Sequence, residues 1–267
     1  MQSEHFIKIS HVPDFWCRVT AAQSKFLGLD YDGTLAPFKV NPREAYPLAG
    51  VRELLYELSE VKDSTLAIIS GRPLCELIDL IGDLKIYFAG SHGYELRCPD
   101  GELHRRILRP HQAQGLLKAR QSGAALGFTE KMEIKIASIA FHTRGEPAPK
   151  AALMERKISE AWSGTAHRHD LELRKFNGGV ELRAAGWNKG DIVSEILSLQ
   201  VSGTFPVYIG DDETDEDVFV ILRNRGLGIK VGTSAATSAA QGGLPNCDAV
   251  KKFLETWLFL SHRKAGD

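Results

Sequence analysis

The chain is poor in cysteine, in net charge and in long apolar runs. Four scattered cysteines without a CxxC pair make a zinc site or a disulfide framework unexpected. A formal net charge of −1 disfavours a general binder of nucleic acid or of anionic membranes. No apolar run approaches the length of a membrane span, and the opening residues MQSEHFIKIS lack an apolar signal core. The sequence therefore predicts a cytoplasmic protein with no nucleic-acid or membrane partner.

The chain does have a high hydrophobic content and a change in the order of its elements. With 267 residues, 43% of them hydrophobic, it can bury a large core as one domain or two. Apolar runs alternate with helical patterns up to about residue 105 and again after Lys189, whereas residues 106–184 indicate helix, strand, helix, strand, strand. This layout predicts an α/β fold. We expect a Rossmann-like, doubly wound parallel-sheet core (1–105 and 186–267) with an inserted α/β cap domain (106–185).

The most informative segment is KFLGLDYDGTLAPF, in which an apolar run ends in Asp30 and Asp32. A run of strand length that stops at a Gly turn predicts a buried strand with both acids at its carboxyl end. In open α/β sheets, ligands bind at that edge. Taken alone, the two acids have an equally good interpretation as turn residues before glycine.

Two similar segments favour a reaction site over a simple turn. TLAIISGR is a second apolar run, and it ends in Ser70 and Gly71. PVYIGDD is a third, and it ends in Asp211 and Asp212. Because the carboxyl ends of parallel strands share one edge of a sheet, these polar groups are predicted to lie near Asp30.

A lysine at the start of a predicted helix adds a positive charge to this set. Lys189, within GWNKGD, precedes an amphipathic stretch. The apolar positions that follow helical spacing in it are Ile192, Val193, Ile196 and Leu199. Anions bind well at helix N-termini, so Lys189 is suited to neutralise a bound anion such as a phosphoryl group.

The combined set suits phosphoryl transfer through an aspartyl phosphate. A phosphate monoester is a dianion, so a carboxylate nucleophile needs a cation on the transferring group. Mg²⁺ prefers oxygen ligands, and Asp30, Asp32 and Asp211 are the predicted ones, with Asp212 binding directly or through water. Asp30 is the predicted nucleophile. Asp32 is the predicted acid for the leaving oxygen and then the base for water.

Two further residues complete the predicted phosphoryl-transfer site. Ser70 and its neighbouring amides are predicted to hold one phosphoryl oxygen by hydrogen bonds. Asp215, one turn beyond Asp211, is predicted to orient Lys189 or a metal-bound water.

Four segments resemble the motifs of the haloacid dehalogenase superfamily of phosphotransferases: DYDGT, SGR, the isolated Lys189 and GDDETDEDVF. The last, of the form GDDxTDExxF, is similar to that of the trehalose-6-phosphate phosphatase family. The resemblance implies Mg²⁺-dependent hydrolysis of trehalose 6-phosphate, with a cap that closes over the site and selects the leaving group. It also implies substrate contacts from Gly71, Arg72 and His92, although a simple turn residue is the favoured alternative for His92.

The resemblance extends to the insert. In a predicted strand 132–144, Glu133 and Lys135 lie two residues apart and share one face. Together with Glu181 on a separate strand, they form an acid-lysine-acid set that resembles the family's grip on the glucose unit. The alternative is a solvated, salt-bridged edge. Two more predicted substrate contacts, each with an alternative role as a structural residue, are His142 and Arg144.

Three other functions compete with this interpretation. A phosphatase or mutase of another sugar phosphate, such as sucrose phosphate or a hexose phosphate, would use the same catalytic residues. A receiver-like signalling domain also combines an Asp cluster, a hydroxyl residue and a Lys, but the long insert at 106–184 counts against it. A catalytically silent sensor is disfavoured by the presence of both Asp30 and Asp32. The predicted partner is a small-molecule sugar phosphate, bound by a monomer.

Overall fold

The structure is a computed structural model that describes residue 9, residues 12–232 and residues 238–262. The chain divides into two compact units, one within Met1–His104 and Asn188–Asp267 and the other formed by Arg105–Trp187. The sequence predicts the insert at 106–185, and its function as a cap stays a prediction. Among the described residues, no helix combines the length and the hydropathy that crossing a membrane requires.

The described residues form eight α-helices and twelve β-strands. The helices are α1 (Phe15–Ala21), α2 (Val51–Ser59), α3 (Leu74–Ile81), α4 (Pro110–Ala125), α5 (Ala148–Arg168), α6 (Lys189–Ser198), α7 (Glu216–Leu222) and α8 (Cys247–His262). The strands are β1 (Lys25–Leu29), β2 (Ser64–Ile69), β3 (Tyr87–Gly90), β4 (Glu95–Arg97), β5 (Leu103–Arg105), β6 (Met132–Ile134), β7 (Ser138–His142), β8 (Leu171–Phe176), β9 (Gly179–Ala184), β10 (Phe205–Gly210), β11 (Leu227–Val231) and β12 (Gly242–Leu244).

The larger sheet has eight strands in the order β12-β11-β10-β1-β2-β3-β4-β5. Every pairing from β12 to β3 is parallel, and β3 pairs with β4 antiparallel. The chain leaves β1 for β2 on one side and later forms β10 on the other, so the strand order reverses at β1. Ligands bind beside such a reversal in doubly wound sheets. The predicted α/β fold class, with a doubly wound parallel core, is confirmed.

Apolar residues at helical spacing anchor this sheet. The spacing of Val51, Leu54, Leu55 and Leu58 predicts a helix, and α2 buries three of them while Leu54 is partly buried. They belong to one apolar cluster that also contains Leu27 and Leu29 of β1. Because full burial of a Leu side chain contributes about 1.5–3 kcal/mol, this cluster holds β1 firmly in the sheet.

A capping box at the start of α6 places Lys189 in the first turn of that helix. The Asn188 side chain accepts the Asp191 N–H at 3.1 Å, and the Asp191 carboxylate accepts the Asn188 N–H at 3.0 Å. The buried apolar residues of α6 are Ile192, Val193 and Ile196. Leu199, which the spacing assigns to the same face, directly follows the end of the helix and is 63% exposed.

The second unit carries a four-stranded antiparallel sheet of order β6-β7-β9-β8. α4 and α5 pack against this sheet. Apolar residues such as Ile139, Phe141 and Leu182 alternate with polar ones along β7 and β9, and these three are buried. Since successive side chains point to opposite sides of a strand, one face of this sheet is apolar and the other is polar.

One expectation about this unit is wrong. The predicted single strand 132–144 is a hairpin of β6 and β7, in which Glu133 pairs with Ala140. The Lys135 N–H donates to the Ser138 carbonyl oxygen at 2.9 Å and so closes the turn between the two strands. The unit therefore has two strands between its first and second helices, where the sequence predicts one.

Candidate active site

Two acids meet at the carboxyl edge of the larger sheet, as the alignment of its strands requires. Asp30 directly follows β1, Asp211 directly follows β10, and these strands are parallel neighbours. The Asp30 N–H donates to the Ile209 carbonyl oxygen at 2.8 Å, which extends the pairing beyond the end of β1. Carboxylate oxygens of Asp30, Asp211 and Asp215 all lie within 4.8 Å of one another. The three acids therefore form one cluster.

The ammonium of Lys189 contacts two acids of this cluster. Its Nζ lies 2.7 Å from Oδ1 of Asp30 and 2.7 Å from Oδ1 of Asp215. Asp215 is fully buried, and it also accepts the Tyr208 hydroxyl at 2.6 Å and the Asp212 N–H at 2.9 Å. These bonds fix the Asp215 carboxylate, which in turn fixes the lysine beside Asp30.

Burial and crowding of negative charge perturb the ionisation of this cluster. Burial raises the pKa of Asp30 to about 7, although the charge of Lys189 opposes the rise. Burial, together with the charges of Asp30 and Asp215, raises the pKa of Asp211 to about 10. Burial lowers the pKa of the Lys189 ammonium, but the charges of Asp215 and Asp30 outweigh it and the net shift is upward. The raised pKa values of Asp30 and Asp211 show that one ammonium does not compensate the burial and mutual repulsion of three acids.

The donor set around Asp211 fits a hard divalent cation. Oδ1 of Asp211 is buried and has no hydrogen-bond partner within the described part of the chain. Gly33 has a φ of +77°, and a Cβ at that position would lie 2.1 Å from Oδ2 of Asp211. Only glycine therefore permits this carboxylate to lie so close to the turn after β1. A buried carboxylate oxygen beside two other acids is the kind of ligand that Mg²⁺ prefers.

Asp32 does not belong to that cluster of three acids and forms an ion pair with Arg72. Its two carboxylate oxygens accept from Nε and Nη2 of Arg72, each at 2.7 Å. Nη1 of Arg72 also lies 3.4 Å from Glu76. The side chain of Asp212 accepts the Glu213 N–H at 2.7 Å. In the structure, the side chains of Asp32 and Asp212 thus accept hydrogen bonds from Arg72 and from the Glu213 N–H. Their roles as metal ligands stay predictions.

The segment Ser70–Arg72 lies against the loop that contains His92. The Ser70 hydroxyl accepts the Arg72 N–H at 3.1 Å, and the Ser70 carbonyl oxygen accepts the His92 N–H at 2.9 Å. His92 is buried in a left-handed conformation, with φ 56°. A Cβ on Gly71 would lie 2.7 Å from the imidazole, so the absence of a side chain at position 71 allows this packing. The structure brings Ser70, Gly71, Arg72 and His92 together, and their contacts with a substrate stay predictions.

In the second unit, the predicted acid-lysine-acid set comes together although the hairpin replaces one strand. Nζ of Lys135 lies 3.3 Å from Oε1 of Glu181 and 3.9 Å from Oε2 of Glu133. Nε2 of His142 lies 2.8 Å from Oε2 of Glu133. Arg144 donates to the backbone carbonyl of Asn177, in the turn that joins β8 to β9. His142 therefore joins the set, whereas Arg144 contacts the neighbouring turn.

Sequence reasoning misses two residues of these sites. Tyr208 holds Asp215 in the larger unit, and Ser138 donates its hydroxyl to Oε1 of Glu181 at 2.7 Å in the second unit. The only sequence signal for Tyr208 is a hydroxyl-bearing side chain in an otherwise apolar strand. For Ser138 the signal is the alternation of Ser138, Ala140 and His142 on one face, which becomes visible only once β7 is recognised as a separate strand.

The chain is similar to known proteins along most of its length. The family model described as Trehalose-phosphatase matches residues 28–243. The probable trehalose-phosphate phosphatase 3 of Oryza sativa subsp. japonica is 30% identical over an alignment of 270 positions, which spans 90% of this chain and 72% of that protein. The trehalose-6-phosphate phosphatase of Escherichia coli (strain K12) is 30% identical over 222 residues, which cover 81% of each chain.

The fold is likewise similar to a solved structure. The C-terminal domain of the trehalose-6-phosphate phosphatase from C. albicans matches with a TM-score of 0.82 and 22% identity, over 97% of this chain and 99% of that one. At that identity the match supports the fold. The residues 28–243 matched by the family model contain Asp30, Ser70, Lys189 and Asp211.

Proposed function

The chain belongs to the trehalose-phosphatase family of phosphoric monoester hydrolases, and from that premise we propose that it hydrolyses trehalose 6-phosphate to trehalose and inorganic phosphate. The family resemblance predicted from the four motifs is confirmed. One observation carries the proposal for the reaction: the Lys189 ammonium contacts both Asp30 and Asp215, beside Asp211, at the reversal point of a doubly wound sheet. That arrangement joins a carboxylate nucleophile to a fixed positive charge.

In the proposed reaction, Asp30 takes up the phosphoryl group and Asp32 transfers the proton. A carboxylate oxygen of Asp30 attacks phosphorus, the bond to the sugar oxygen breaks, and Asp32 donates a proton to that oxygen. Water then attacks phosphorus, the bond between phosphorus and the Asp30 oxygen breaks, and Asp32 accepts a proton from the water. Inorganic phosphate leaves, and both carboxyl groups return to their starting state.

The surrounding side chains position these two groups. Lys189 keeps a positive charge at Asp30, where negative charge accumulates on the phosphoryl oxygens during transfer. Arg72 holds the Asp32 carboxylate through two hydrogen bonds, and one of these bonds must open when Asp32 takes up the proton that it donates. The Ser70 hydroxyl already accepts one N–H, and its own proton remains available to donate to a phosphoryl oxygen.

We assign the metal site to the acids around Asp211. Asp30 and Asp211 would hold Mg²⁺ by their carboxylates, with Asp215 near enough to join them and with Asp32 and Asp212 as further candidates. When bound, Mg²⁺ would neutralise part of the negative charge on the transferring phosphoryl group. The buried oxygen of Asp211, which has no hydrogen-bond partner among the described residues, supports this assignment.

The second unit is proposed to recognise the sugar. Its polar face carries Glu133 and Glu181, whose carboxylates suit pairs of sugar hydroxyls, and Lys135, whose ammonium donates to the remaining oxygens. Its action as a cap that selects the leaving group is part of the same proposal. A cytoplasmic location, a monomeric state and the absence of nucleic-acid and membrane partners stay predictions from the sequence.

A substrate panel tests the reaction and its metal dependence. We expect trehalose 6-phosphate to have the highest kcat/KM among trehalose 6-phosphate, sucrose phosphate and hexose phosphates. Phosphate release should stop with a chelator and return with added Mg²⁺, because the anionic nucleophile can attack a phosphate dianion only when a cation neutralises part of the charge on the transferring group. A higher kcat/KM for another sugar phosphate would overturn the substrate assignment. Undiminished release in the presence of the chelator would overturn the metal assignment.

Truncating the acids of the second unit tests sugar recognition separately. Glu133→Ala and Glu181→Ala each remove charge-assisted hydrogen bonds of about 1.5–3 kcal/mol. We therefore expect a loss of roughly ten-fold to over a hundred-fold in kcat/KM for trehalose 6-phosphate. Hydrolysis of a small aryl phosphate, which has no sugar, should be nearly unchanged.

Glu130→Ala is the matched control, because Glu130 is an exposed glutamate of the same unit. Circular dichroism should show that all three variants are folded. A parallel decline on both substrates, or no decline on either, would mean that Glu133 and Glu181 do not recognise the sugar.

A further inference from the structure

The strand pairing of the second unit places its two acids in one row. Glu133 of β6 pairs with Ala140 of β7, and Ala140 pairs with Glu181 of β9. Directly paired residues of an antiparallel sheet point to the same face. The two carboxylates therefore flank the methyl group of Ala140 on the polar face of the sheet.

β7 also supplies a hydrogen-bond donor to each acid. Ser138 and His142 lie two residues before and two residues after Ala140, so both share its face. The Ser138 hydroxyl donates to Oε1 of Glu181 at 2.7 Å, and Nε2 of His142 lies 2.8 Å from Oε2 of Glu133. Each donor contacts a different acid, so one strand holds both members of the row.

The protonation of these groups follows from the environment of Glu133. Burial raises the pKa of Glu133, but the hydrogen bond from His142 and the charge of Lys135 outweigh it, so the net shift is downward. An ionised carboxylate only accepts hydrogen bonds. Nε2 of His142 must therefore carry the proton of this contact.

The small side chain at position 140 is part of the same arrangement. The Lys135 ammonium lies between the two carboxylates, 3.3 Å from Glu181 and 3.9 Å from Glu133. Ala140, which pairs with both acids, presents only a methyl group at the centre of the row. The two carboxylates of the row are therefore held by the donors Ser138 and His142 and by the Lys135 ammonium, which contacts both.

We propose that Ser138 and His142 are positioning residues that hold Glu181 and Glu133 at the orientation in which the two carboxylates bind a pyranose through its hydroxyl groups. This proposal rests on the proposed function, because it deepens the account of how the same site recognises its sugar. Neither residue needs to touch the substrate. Ser138 acts through Glu181, and His142 acts through Glu133.

The first test measures KM and kcat of Ser138→Ala on trehalose 6-phosphate and on an aryl phosphate. Because the hydroxyl bonds a charged group, its loss should raise KM for the sugar phosphate about tenfold. The kcat value and the hydrolysis of the aryl phosphate should change less than twofold. Ser138→Cys, whose larger thiol donates only weakly, should show the same split. Ser163→Ala is the matched control, because the exposed Ser163 hydroxyl donates to the Glu160 carbonyl of its own helix.

The second test shows whether Ser138 acts through Glu181. In a Glu181→Ala background, adding Ser138→Ala should raise KM no further, whereas in a Glu133→Ala background it should still raise KM about tenfold. A residue that merely stabilises the unit would lower activity equally in both backgrounds. Equal effects would therefore overturn the positioning role of Ser138.

The third test applies the same logic to His142. His142→Gln retains an N–H donor near the position of Nε2, and His142→Phe retains the ring contact with Phe176 but loses the donor. We expect the Gln variant to keep KM within a few-fold of the wild type and the Phe variant to raise KM about tenfold. Equal KM values in the two variants would overturn the role of His142.

The outcomes distinguish failure of the positioning proposal from failure of the proposed function. If the wild-type chain hydrolyses the aryl phosphate but not trehalose 6-phosphate, the proposed function fails and the positioning proposal fails with it. If the wild type hydrolyses both and Ser138→Ala and Ser138→Cys leave KM unchanged, only the positioning proposal fails.

Discussion

Asp30→Asn is expected to abolish phosphate release from every substrate. The amide keeps the shape of the side chain but lacks the anionic oxygen that attacks phosphorus, so no aspartyl phosphate can form. The contact between Lys189 and Asp215, at 2.7 Å, should hold the lysine in place. Release of inorganic phosphate should fall to the background of the assay. Mass spectrometry of protein quenched during turnover should find a phosphorylated peptide that contains residue 30 in the wild type only.

Asp63→Asn is the matched control for this substitution. Asp63 is exposed and has a φ of 56°, a conformation that asparagine adopts readily, so activity and stability should be retained. Thermal melting should show that Asp30→Asn is folded. Substantial turnover by folded Asp30→Asn, or a phosphorylated residue elsewhere in the chain, would rule out Asp30 as the nucleophile.

Asp32→Asn should have the second largest effect, and the effect should depend on the leaving group. A positioned acid contributes about 10²–10⁴-fold when it protonates the departing oxygen. We expect a loss of that size for trehalose 6-phosphate, whose sugar alkoxide is a poor leaving group. An activated aryl phosphate needs less protonation in the first step, so its loss should be smaller. The measurement is the ratio of kcat/KM for the two substrates in each protein.

Glu76→Gln serves as the control for Asp32, since Arg72 contacts both residues. Nη1 of Arg72 lies 3.4 Å from Glu76, whereas its contacts with Asp32 are two bonds of 2.7 Å. The Gln variant perturbs the guanidinium without touching Asp32, so its ratio for the two substrates should match the wild type. If Asp32→Asn loses the same factor on both substrates, Asp32 supports the fold or the metal and does not transfer the proton.

Much of the candidate active site was predictable from the sequence, because its residues lie at the ends of strands and at the start of a helix. Asp30 and Asp211 each end an apolar run, and Lys189 begins an amphipathic one. In a parallel sheet, consecutive strands bring their carboxyl ends to one edge whatever their exact register. The pattern of apolar runs was therefore enough to place Asp30 and Asp211 at a common edge.

The second unit was less predictable because its hairpin has a short, unmarked turn. No Gly, Pro, Asn or Asp interrupts the residues between Glu133 and His142, so the run indicates one long strand. The grouping of Glu133, Lys135 and Glu181 was predicted from the family resemblance, and the structure does bring these three side chains together. Alternation along one strand does not account for the grouping, since the residues lie on a hairpin and on a separate strand.

The amino-acid sequence by itself determined the α/β class, the doubly wound core and the identity of the acids and the lysine at the strand and helix ends. Those features follow from local periodicity and from the alignment of parallel strands. The sequence left open whether Asp215 orients Lys189 or a metal-bound water, and the tertiary structure places it against Lys189, which also contacts Asp30. Tertiary structure alone decided the contacts of Asp32 with Arg72 and of Ser138 with Glu181. The residues of each pair are far apart in the chain, up to 159 positions for Lys189 and Asp30. Their contacts depend on side-chain orientation and strand register, which only the packed chain determines.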